Sequence, residues 1–156
     1  MALSEITRLQ GELGKSHKGP AWHGPSVLET LDGVDFSKAQ KRAGPEVHTI
    51  WEIVKHVTAW QQVATDVLLG EEYRSLRDDE DWPPVTGGQA SDWEADLGRL
   101  KVVNETLLKT LASFPEAKLD YQVPGREYSF YVVLHGIAQH NIYHAGQIAM
   151  LKKLLP

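Results

Sequence analysis

Residues 49–70 read Thr49-Ile-Trp-Glu-Ile-Val-Lys-His-Val-Thr-Ala-Trp-Gln-Gln-Val-Ala-Thr-Asp-Val-Leu-Leu-Gly70. Thr49 and Glu52 have the spacing of a capping box, in which each side chain satisfies a free backbone N–H of the first turn. Behind them Ile50, Ile53, Val54, Val57, Trp60, Ala64, Val67 and Leu68 recur at helical spacing, and Gly70 supplies the stop. This is a helix of about five turns with one apolar stripe. Such a stripe must be buried against something, so the fold follows from what else the chain offers.

It offers three more helices of similar length. Residues 3–16 place Ile6, Leu9 and Leu13 on one face and end near Lys18-Gly19-Pro20. A second Thr/Ser-x-x-Glu pattern, Ser91 and Glu94, opens a helix that runs to about Phe114 and is closed by Pro115. The last runs from near Ser129 to about Leu154. Pro25 suits the first turn of a short helix through Leu31. The acidic run and double proline of residues 77–90 predict a loop without helix. Leu119–Val123 alternates too briefly to define a sheet. The expected architecture is all-α: a four-helix bundle, with the long connection at 71–90 permitting a crossover, in one domain spanning 1–156.

Composition narrows the function classes. The chain has 156 residues, 42% of them hydrophobic, and a net charge of −5, which argues against nucleic acid as a partner. There is no apolar run of about 18 residues, so no membrane span is expected. The N-terminus lacks the apolar core of a secretion signal, and the absence of cysteine fits a reducing cytoplasm. It also rules out thiolate metal ligands. What the chain has in excess is seven histidines and five tryptophans.

His140 and His144 lie about 40° apart on one helix face, as two imidazoles directed at one metal ion would. Gly136 leaves room one turn earlier, Gln147 is in phase to orient a ligand or water, and Tyr143 flanks the same face. His135 is about 160° away from that pair and reads as structural or exposed. His-Glu-x-x-His would signal a zinc protease, but Asn141 follows His140. His56 sits at the edge of the apolar stripe, with Trp60 one turn on. It is either a boundary residue paired with Glu52 or a third ligand, with Glu52 then the candidate partner of its other ring nitrogen. His17 and His48 read as solvated. His23, in the Trp22-His-Gly-Pro25 loop, is a secondary site candidate. Trp51, Trp60 and Trp93 read as core or boundary filling, and Trp22 and Trp82 as loop residues.

The segment Leu134-His-Gly-Ile-Ala-Gln-His-Asn-Ile-Tyr-His-Ala-Gly-Gln-Ile148 resembles the closing motif of the DinB-like (damage-inducible type) four-helix-bundle metalloproteins. The stretch His48–Trp60 resembles their second-helix motif, and Trp22–Pro25 the opening loop of one branch. Tyr143-His-Ala-Gly-Gln147 is the specific part. The resemblance implies a three-histidine site at His56, His140 and His144, and homodimers in many members. Relatives include metal-dependent transferases and isomerases that use low-molecular-weight thiols such as bacillithiol or mycothiol. Imidazole ligands suit zinc or nickel first, and iron, copper or manganese as well. The expectation is a metal-dependent enzyme, a thiol S-transferase or a hydrolase, acting on a small molecule. The alternatives are a non-catalytic metal-binding bundle with a structural or stress-response role, and a metal-free bundle that contacts a partner through its tryptophans.

Overall fold

The computed structural model describes residues 3–156. Helix α1 (Glu5–Lys18) is followed by two short helices, α2 (Val27–Leu31) and α3 (Phe36–Ala39). Then come α4 (Ile50–Leu68), the single turn α5 (Asp78–Asp81), α6 (Ala90–Ala112) and α7 (Phe130–Leu154). Among the described residues there is no strand; Gln122 and Ser129 form an isolated bridge where the brief alternation at 119–123 had pointed.

The capping box of α4 is formed as expected, with both Thr49 and Glu52 engaged. The start of α6 differs. Its first residue is Ala90, and Asp92, rather than Ser91 or Glu94, secures it by accepting from the N–H groups of Gly88 and Gln89 at 3.1 Å each. Helix α2 starts after Pro25, capped by Ser26 and Glu29. Residues 77–90 are not free of helix. Glu80 accepts from the backbone N–H of Arg77 and is gripped by the guanidinium of Arg74 at 2.6 and 2.8 Å, which secures α5.

The four long helices form a ring in which α4 touches α6 and α7, and α1 touches α6 and α7. Cross-contacts give their directions. Trp51 near the start of α4 bonds Asp96 near the start of α6, so these two neighbours run parallel. Glu5 and Glu12 of α1 meet Tyr131 and His135 of α7 in the same order, so that pair is parallel as well. Helices α4 and α7 run antiparallel, since Gln61 meets Asn141 while His56 meets His140 and His144. The order is up-down-down-up. The connection from α4 to α6 must therefore travel back along the bundle, which is the crossover.

Two apolar clusters fill the interior. One gathers Trp51, Ile53, Trp93, Leu100 and Ile148 at the α4 N-terminal end. The other gathers Leu9, Leu13, Ala64, Leu107 and Leu134 at the opposite end. Trp51 and Trp93 are fully buried, so these two do not form a contact surface. Between the clusters lies a layer of buried polar side chains that includes Ser16, His17, His56, Gln61, Asn141 and His144. No helix among the described residues is long and apolar enough to cross a membrane.

Candidate metal centre

The polar layer holds one dense group. His56 from α4 and His140 and His144 from α7 bring one ring nitrogen each within 4.8 Å of one another. His140 Nε2 lies 2.9 Å from His56 Nε2 and 3.1 Å from His144 Nε2. Two nitrogens bound to one ion at about 2.0–2.1 Å, at angles near 90–110°, stand about 2.8–3.4 Å apart. The spacing fits a shared divalent cation.

The outer nitrogens settle which atoms face inward. His56 Nδ1–H donates to the backbone carbonyl of Asp81 at 2.6 Å, and the Asp81 carboxylate lies 3.2 Å away. His144 Nδ1–H donates to Gln147 Oε1 at 2.7 Å. Each proton is thus on the outside, leaving Nε2 as a bare lone pair pointing at its neighbours. His140 Nδ1 is buried with no protein partner. Lone pairs converging at this distance repel unless a proton or a cation lies between them.

The rings are also held neutral. Burial lowers the pKa of His140 to about 3, with His144 and His56 pushing in the same direction. Burial lowers His144 to about 4. His56 is lowered by burial as well, against the opposing pull of Asp81. Neutral imidazole is the form that binds metal, so no proton has to be displaced near pH 7.

The crossover closes the centre from one side. Trp60 Nε1–H donates to the Asp81 carboxylate at 2.7 Å. Trp82 lies flat on the His56 ring, centroids 3.9 Å apart and planes 6° from parallel. The His48 ring covers its other face at 3.5 Å. Tyr143 is exposed, stands edge-on to His144 at 5.0 Å, and lines a surface groove with His48 and Gln147.

Glu52 is not the partner of His56. Its carboxylate is bound by Arg42, by the Thr49 N–H and by His48. Glu52 is equally spaced from His48 and His56, but side chains on a helix lean toward its N-terminus, and the cap draws Glu52 that way. Asp81 holds His56 instead, and no local sequence pattern pointed to it. His17 is buried rather than solvated: α1 continues to Lys18, which carries His17 onto the stripe of Leu13. Gln61 Nε2–H donates to its Nδ1 at 3.3 Å and to Asn141 Oδ1 at 3.0 Å. His23 is exposed and lies apart from the cluster, in a groove with His135. His135 itself is half-buried and pairs with Glu12 at 2.9 Å.

Fold and site together define an all-α bundle with a three-imidazole centre fit for a divalent metal. Residues 22–148 match the DinB superfamily, and the chain belongs to it. Comparison with curated proteins and with solved structures gave no match.

Proposed function

We propose that the chain is a metal-dependent enzyme that transfers a low-molecular-weight thiol onto a small electrophile. The observation that supports this most directly is the convergence of three neutral Nε2 atoms, two of them oriented from outside, with no fourth protein donor among the described residues in the group. A three-ligand site leaves coordination positions for a small molecule, whereas closed structural sites use four protein ligands. A bound divalent ion would supply Lewis acidity, favouring the thiolate form of a thiol or the hydroxide form of a water.

The chain's own residues fit the thiol reading better than hydrolysis. Among the described residues, the carboxylate in contact with the cluster is that of Asp81, and it is committed to Trp60 and His56. It orients a ring and is not free to deprotonate water. Thiol transfer needs less of the protein: the thiolate sulfur forms a bond to carbon, the leaving group departs with its electron pair, and the thiol proton goes to solvent. The chain itself has no cysteine, so the sulfur must come from a second molecule.

The test is turnover of monochlorobimane by zinc- and nickel-loaded protein with bacillithiol, mycothiol and glutathione in parallel. We expect turnover with one of these thiols and loss of about a hundredfold or more in His144→Ala. Equal rates in wild type and variant would end the proposal.

A further inference from the structure

A cavity adjoins the centre. It has a volume of about 280 Å³ and lies between α4, α7 and the loops that carry Tyr73 and Tyr128. His140 is one of its lining residues, so an occupant can reach a ring of the centre. An apolar protein cavity of about 150 Å³ holds a benzene ring. This one has room for an aromatic ring with several further heavy atoms.

Its chemistry is one-sided. Trp60 offers the cavity its ring, since its N–H is committed to Asp81. The Tyr73 and Tyr128 rings stand edge to face, centroids 6.2 Å apart. The Arg126 guanidinium, 4.1 Å over the Tyr73 ring, does not line the cavity. Ile137 completes an inner surface of carbon, and among the lining residues there is no carboxylate, ammonium or guanidinium. A charged group placed here would lose part of its hydration with no opposite charge on the lining to replace it. Aromatic faces instead favour a flat, uncharged partner.

Gly136 also lines the cavity, one helical turn before His140. A Cβ added there meets no atom within 4 Å. A larger side chain there would project into open space beside the cavity and not into the packing of α7 against its neighbours.

We infer that this cavity binds the uncharged aromatic or branched hydrocarbon portion of the substrate, holding the adjoining reactive atom beside His140. This rests on the enzyme reading above and deepens it by naming the substrate class: hydrophobic aryl or alkyl electrophiles rather than charged ones.

The first arm is binding, which needs no turnover. Benzyl alcohol and benzoate are titrated into metal-free protein, where no ion can bind the carboxylate, while the Trp60 indole N–H resonance, assigned through Trp60→Phe, is followed by NMR. We expect a saturable shift, binding weaker by about tenfold or more for benzoate, and loss of the shift in Gly136→Leu. Zinc affinity of Gly136→Leu, measured by chelator competition, should stay within about threefold of wild type, because the Cβ at this position is clear of every protein atom by 4 Å and the added carbons enter the cavity rather than a packed interface. Gly136→Ala adds a single methyl and should weaken benzyl alcohol by an intermediate amount, which keeps the test valid if the leucine variant misfolds. The second arm compares kcat/KM for 1-chloro-2,4-dinitrobenzene and iodoacetamide. Gly136→Leu should lower the ratio of the first to the second by about tenfold.

Benzoate binding as tightly as benzyl alcohol, or a shift that survives unaltered in both glycine variants, would overturn the inference. Turnover of electrophiles without benzyl alcohol binding would overturn it too, while leaving the enzyme reading intact. Saturable binding without any turnover would support the cavity and remove the enzyme reading.

Discussion

Gln147 shows how far a single helix can be read. It lies three residues after His144, and helical phase alone placed it on the face of the histidine pair. The structure puts its amide oxygen 2.7 Å from His144 Nδ1. Gln147→Ala should lower zinc affinity by about 10–100-fold, because the ring loses what fixes its tautomer and angle. Chelator competition measures this, and the metal-free variant should unfold within about 1 kcal/mol of wild type, the worth of one hydrogen bond. Asp81 was not legible in the same way. It is 25 residues from His56, and only the path of the crossover brings it there. Glu52 misled because i,i+4 spacing is symmetric, whereas the lean of helical side chains is not.

At the scale of elements, the crossover is the part that local pattern described least well. Acidic residues and two prolines suggested open loop, yet the acids sit in the first turn of α5, where the N-terminal end of a helix favours negative charge. That turn carries Asp81 and Trp82 onto the His56 ring. Trp82→Ala should remove a stack on both faces, His48 on one and His56 on the other. The ring is half-buried, so the expected loss is about 2 kcal/mol, below that of a fully buried tryptophan. Urea denaturation of the metal-free variant checks the stability. A second consequence is kinetic. With the cover gone, release of zinc to a competing chelator should be faster than in wild type, followed by stopped-flow absorbance. Equal release rates would show that the crossover does not guard the centre. Helices α1, α4 and α6, by contrast, were legible because each has a stripe at the helical period and a Gly or Pro close after its end.

For the whole molecule, the parallel and antiparallel pairing could not be read from periodicity, since it depends on which ends meet. The connection lengths left a crossover open, and the contacts of Trp51 with Asp96 and of Glu12 with His135 fix it. The polar layer between the two apolar clusters then has two predicted consequences. The metal would tie α4 to α7, so zinc at about a thousand times its dissociation constant should stabilise the fold by about 4 kcal/mol, and His144→Ala should abolish the effect. Thermal melts with and without zinc check this. The other consequence is pH sensitivity of the metal-free protein. Burial, with Lys101 nearby, lowers the pKa of His17 to about 4 from 6.5. Between those values the unfolded chain binds a proton that the folded chain does not. Stability is therefore fully present above about pH 6.5 and is lost as pH falls toward 4. From pH 7.5 to pH 5.0 His17 alone accounts for about 2 kcal/mol of loss. His56, His140 and His144, also lowered by burial, add loss of the same sign. In His17→Gln the titrating group is gone but an amide remains to meet Gln61. Urea midpoints of the metal-free proteins at the two pH values should show the variant losing about 2 kcal/mol less than wild type. An equal loss in both would mean that His17 is free to take up a proton in the folded state, and the acid sensitivity would then rest with the three histidines of the centre.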